Sequence, residues 1–165
     1  MVFNLMKIPQ VLIQKQAVNE IIKCNEYTYG YGLFLTQEQA MGLLETRSYA
    51  LADNRRIEFG GGIVEKFIKI FCDSPFLSTH NYAETLNELI EIFYHAKNES
   101  ESYGLIRDDD LIADMKKSFD SICQGSVELL AGREIYNIIR CIEHDYVPDY
   151  SQDENSADCG VDEDE

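Results

Sequence analysis

A chain of 165 residues, 45% of them hydrophobic, is long enough to bury a core without disulfides or metal staples. Its formal net charge of -16 excludes ready binding to nucleic acid backbones and anionic membrane surfaces. Five cysteines, odd in number and lacking any Cys-x-x-Cys pair, indicate neither a disulfide framework nor a zinc knuckle. No uncharged apolar run approaches the ~18 residues of a membrane-spanning helix, and the expectation is a soluble, unsecreted protein of the cytoplasm.

The first predicted helix opens near Pro9, whose missing N–H would be unpaired in a first turn anyway. It runs toward Cys24 or Tyr27, with Val11, Val18, Ile21 and Ile22 on its apolar side. Gly30 and Gly32 end it, and the interleaved Tyr27, Tyr29 and Tyr31 are expected to pack over that corner. Thr36-Gln37-Glu38-Gln39 is a capping box, which starts the second helix. Its apolar face is Ala40, Leu43, Leu44, Ala50 and Leu51, and at ~100° per residue Arg47 falls in the middle of that face. A guanidinium there needs a partner, because a buried unpaired charge costs several kcal/mol. Glu58 is the candidate.

Glu58 belongs to the stretch Arg56-Ile57-Glu58-Phe59-Gly60-Gly61-Gly62, which runs into an amphipathic helix with Ile63, Val64, Phe67, Ile70 and Phe71 at helical spacing. Gly60, Gly61 and Gly62 let the chain turn with φ > 0 or pass close to another backbone. Three glycines at a helix start also suit an anion. The Gly-Lys-Ser/Thr ending and the Gly-x-Gly-x-x-Gly spacing are both missing, which favours a structural corner feeding a central helix.

That helix ends at Cys72-Asp73-Ser74-Pro75, where the proline disfavours helix at Ser74. Asn81-Tyr82-Ala83-Glu84 reads as the next cap. The helix that follows, Tyr82 to about Lys97, sets Tyr82, Leu86, Leu89, Ile90 and Phe93 on one side. Glu84, Glu88, Glu91 and His95 form a stripe nearly opposite, which reads as a solvated face and not as a metal site, because bundle metal ligands project inward. Asp108-Asp109-Asp110 suits the positive end of another helix and lacks the pattern of a calcium loop. Leu111, Ile112, Met115, Phe119, Ile122 and Cys123 make that helix's inward face, with Gly125 as a kink or close approach. Gly132 separates it from a last helix, Arg133 to about Glu143.

The expected fold is therefore all-α: a compact single-domain bundle of five or six helices over residues 1–148, followed by a disordered acidic tail over 149–165. The tail holds eight acids and no Lys or Arg, half of the net charge, and too little apolar surface to order itself. No nucleophile, base and orienting group come together in the sequence. The histidines, His80, His95 and His144, are scattered, and Cys72 lies at a helix C-terminus, the wrong end for a thiolate.

The stretches Arg56–Gly62, Phe71-Cys72-Asp73-Ser74-Pro75, Asn81-Tyr82-Ala83-Glu84-Thr85-Leu86 and Cys123-Gln124-Gly125-Ser126 together resemble an uncharacterised family of small cytosolic proteins from clostridia-like bacteria, a domain of unknown function. The resemblance spans residues 1 to about 145 and implies no activity, cofactor or functional residue. The leading expectation is a non-enzymatic interaction or regulatory module that presents an acidic surface to a protein with a basic one. The rival is an enzyme or small-molecule binder with a pocket near Arg47, Glu58, Gly60, Gly61 and Gly62, extended to Asp73. A third reading is an acidic mimic of nucleic acid.

Overall fold

A computed structural model describes residues 14–52, 58, 60–99 and 106–145. The acidic tail and the expected helix start at Pro9 lie outside the described residues. All regular structure among the described residues is helical: α1 (14–23), α2 (Asn25–Thr28), α3 (Gln37–Ala52), α4 (Gly62–Phe71), α5 (Tyr82–Glu99), α6 (Asp108–Asp120), α7 (Val127–Leu129) and α8 (Ile135–Asp145). Their buried apolar side chains form one continuous cluster. No helix among the described residues is long and apolar enough to cross a membrane.

After α1 the chain makes a single turn at Cys24, then α2 and a 3-10 turn (Tyr29–Tyr31) that stops at Gly32, φ 77°. Of the tyrosines expected to pack over this corner, Tyr27 and Tyr31 meet edge to face at 6.2 Å, while all three keep much of their surface in solvent. Tyr27, Tyr29 and Tyr31 are 54%, 72% and 50% exposed. The inward position on α2 belongs to Thr28, which is fully buried and donates its hydroxyl to the Leu33 carbonyl at 2.9 Å. Asn25 then clasps the extended chain beyond the turn, donating to Leu35 O at 2.9 Å and accepting from Leu35 N at 2.8 Å. That clasp delivers Leu33 and Leu35 to the core.

The capping box forms as expected, Gln39 N donating to Thr36 Oγ1 at 3.1 Å and Thr36 N to Gln39 Oε1 at 2.9 Å. Asn81 is used differently. Its side chain turns back, accepting from Ser78 N at 2.8 Å and donating to Phe76 O at 3.2 Å, so it fastens the turn before α5.

The helix at the centre of the fold is α5, not α4. The apolar stripe read from its period is buried, and Ile92, Tyr94, Ala96 and Lys97 are buried as well, because α3, α4 and α8 close around it. Phe67 and Phe93 meet edge to face across the α4–α5 contact, and Phe71 meets Phe119 across α4–α6. α3 and α5 run in the same direction. Thr46 donates to Asn87 Oδ1 at 2.6 Å, and Ala50, one turn beyond Thr46, faces the same groove as Tyr94, two turns beyond Asn87.

Two boundaries near the C-terminus differ from the reading of the sequence. α6 ends at Asp120, so Ile122, expected on the inward face, is 57% exposed, while Cys123 is carried inward by the turn. Gly125 lies in that turn and not in a helix. Gly132 does not separate two helices; it lies within a π-helical stretch, Leu130–Glu134, that joins α7 to α8 without a break. The wider winding rotates the following residues relative to an α-helix. Glu134 is thereby buried, with Arg133 Nε 3.0 Å from its carboxylate.

Candidate functional site

The sequence directs attention to the glycine corner, and the structure shows what occupies it. Gly60 and Gly62 take φ of 60° and 48°, conformations that suit glycine. Gly61 N donates to Glu20 Oε1 at 2.7 Å, and Ile63 N donates to Glu58 Oε1 at 3.2 Å. Two carboxylates of the chain itself thus hold the positive end of α4, where an anion would otherwise be stabilised.

Arg47 points from the buried face of α3 into the same corner. Its Nη1 donates to Gly60 O at 2.9 Å and lies 3.6 Å from Glu58 Oε1, with side chains 9% and 7% exposed. The second carboxylate oxygen, Glu58 Oε2, accepts a hydrogen bond from the Tyr94 hydroxyl of α5. Glu58 therefore joins α3, the start of α4 and the middle of α5. A carboxylate held from three sides is a fastener, and its bonds leave it poorly placed to take up a ligand. Replacing Tyr94 by Phe removes one bond to a buried charge and keeps the ring. A loss of about 2 kcal/mol in urea unfolding is expected.

Asp73 is elsewhere. α4 has 10 residues, so its two ends lie about 15 Å apart, and Asp73 follows the far end. There it pairs with Lys116 at 2.9 Å, and Lys116 also reaches Asp120 at 2.8 Å. Burial opposes the charge on Lys116, but the two carboxylates outweigh it and hold its pKa above the ordinary value. The corner residues come together and Asp73 does not join them.

Two of the three aspartates that open α6 are engaged by lysines. Asp108 lies 3.0 Å from the buried Lys97 ammonium, which also donates to Ile106 O at 2.7 Å, and Asp109 pairs with Lys66 at 2.7 Å. No group of His, Cys, Asp and Glu among the described residues is arranged to hold a metal ion. The thiols of Cys24, Cys72 and Cys123 all have raised pKa values, with burial the largest cause, a setting that opposes thiolate chemistry.

Glu84, Glu88, Glu91 and His95 are exposed, as the stripe opposite the apolar face requires. The Glu88 pKa is raised, first by partial burial and then by Glu84, Glu91 and Glu128. The folded state therefore holds the Glu88 proton more readily than the unfolded chain, and stability from this group declines as pH rises through the ordinary glutamate range. Glu88→Gln is expected to add a few tenths of a kcal/mol at pH 7 in low salt. The gain should vanish below the glutamate range and shrink in high salt, as read from urea midpoints.

One open groove borders this network, with a volume of about 400 Å³, between Thr46, Tyr49 and Ala50 of α3 and Glu91, Tyr94 and His95 of α5. Reading the sequence missed it, along with Glu20 and Tyr94. Tyr94 did carry a signal, since a buried tyrosine beside Phe93 needs a partner for its hydroxyl. Glu20 carried none, because its partner is 41 residues away.

The fold and the corner define a class: an all-α protein that pairs Arg47 with Glu58 in its interior and carries an open groove between α3 and α5. A family described as "Family of unknown function (DUF6323)" matches residues 20–148, and the chain belongs to it. The acidic tail falls outside the matched residues. No curated protein and no solved structure matches the chain.

Proposed function

We propose that the protein is a non-enzymatic interaction module that presents an acidic surface to a protein partner with a basic one. One contrast carries the reading. The charges on buried faces are consumed internally, while the exposed positions of α3 and α5 hold six acids (Glu38, Glu45, Glu84, Glu88, Glu91, Glu99) and no Lys or Arg. A surface of one sign steers an oppositely charged partner and discriminates against like-charged ones. The closed Arg47–Glu58 pair supports scaffolding over a ligand pocket at the glycine corner.

The resemblance to proteins of clostridia-like bacteria makes a lysate of such a bacterium the natural source of partners. Capture on the full chain and on residues 1–148 should enrich basic proteins that elute with salt. Enrichment with neither form, or enriched proteins that are acidic and resist salt, would count against the proposal. Capture by the full chain alone would assign the contact to residues 149–165.

A further inference from the structure

The groove between α3 and α5 has the chemistry to say what the partner brings to it. Its floor is fixed, because Tyr94 is buried with its hydroxyl bonded to Glu58. On one wall Tyr49 is 80% exposed, the most exposed large apolar side chain described. On the other stands the exposed Glu91. Helical spacing extends the acidity along both walls, with Glu45 one turn before Tyr49 and Glu84 two turns before Glu91. The only Lys or Arg on α3 is Arg47 and the only one on α5 is Lys97, and both are buried.

An open tyrosine ring across the groove from a carboxylate, with no Lys or Arg among the described residues that line it, fits a guanidinium, which can lie on the ring and bond a carboxylate in the same pose. We infer that this groove is the docking site for an arginine-bearing segment of a basic protein partner, with Tyr49 as the stacking platform and Glu91 as the charge partner. The inference rests on the interaction-module reading above and locates it. Residues 149–165 are themselves acidic and unsuited to the groove, and a second copy would bring another net charge of -16. A groove open to solvent cannot enclose a small ligand as binding pockets do, but it can seat one side of a chain.

The test uses the full chain and a fluorescent oligo-arginine peptide in low salt, followed by anisotropy, beside an oligo-lysine peptide of equal length. The arginine peptide should bind more tightly. Tyr49→Ala should weaken it about threefold and erase its advantage over lysine. Glu91→Gln should also cost about threefold, and the Glu45, Glu84 and Glu91 to Gln triple about tenfold. Glu26→Gln, which removes one exposed acid from α2, should change affinity by less than about twofold.

Equal effects of Glu26→Gln and Glu91→Gln would overturn the groove while leaving a diffusely acidic interaction surface intact. Failure of both peptides to bind in low salt would remove the interaction-module reading itself. Spermine should displace the peptide only at much higher concentration of charge; displacement at equal charge would make the groove a small-cation site instead. Tyr49 and Glu91 are exposed, so their variants should melt like the wild type.

Discussion

Replacing Arg47 by Met is expected to destabilise the protein by about 3 kcal/mol, a fall in Tm of roughly 6–12 °C for a domain of this size. Methionine fills much of the volume and keeps the face of α3 apolar. It removes the cation 3.6 Å from Glu58 and the donor to Gly60 O. The carboxylate keeps its bonds to Tyr94 and Ile63 N, which places the loss near the lower end for a broken buried pair. Glu58→Gln alone should cost about 2 kcal/mol, since the amide oxygen can still accept one of those bonds. The informative result is the double variant. With both charges gone no ion is left buried, so Arg47→Met with Glu58→Gln should be more stable than Arg47→Met alone, which requires a coupling of more than about 2 kcal/mol. Additive losses in urea unfolding would show that the two side chains stabilise the corner separately.

How much of this was legible depended on the distance over which each bond reaches. The Thr36–Gln39 box spans three residues and could be read outright. Arg47 could be placed on a buried face because helical period alone decides it, and Glu58 suggested itself as the acid on the glycine corner. The third member, Tyr94, lies 36 residues beyond Glu58, and no local pattern links them. The same limit made α4 look central because the glycine corner feeds it, and it misplaced Ile70, which is 40% exposed while Ile68 is buried; burial of α5 on nearly all sides is set by where the other helices fall. Changes of winding were the other blind spot. The 3-10 turn at Tyr29–Tyr31 left Tyr29 and Tyr31 exposed, and the π stretch at Leu130–Glu134 absorbed Gly132 without a break, because a period of 3.6 assumes one kind of helix throughout. The groove came from two parallel helices side by side, a relation that neither sequence segment contains.

Gly125→Ala should be at least as damaging as loss of the ion pair, at about 3–4 kcal/mol. Gly125 sits at φ 84°, where any side chain is strained, and its N–H is tied to Phe119 O at 2.8 Å, so the turn cannot drift without losing that bond. An added Cβ would lie 2.6 Å from Phe76 Cβ, 2.7 Å from Cγ and 2.9 Å from Cδ1. Two of those contacts belong to the ring, but the closest is to an atom fixed to the backbone. Rotating Phe76 cannot relieve it, and the ring packs edge to face on Phe119 at 6.2 Å. This yields a sharper expectation than the size of the loss. Phe76→Ala in the Gly125→Ala background should not rescue stability, because alanine keeps the offending Cβ and forfeits the ring packing, for a further loss of about 1–2 kcal/mol. Partial recovery of the urea midpoint in that double variant would mean that the clash lies with the ring, and that the turn between α6 and α7 yields more easily than its hydrogen bonds indicate.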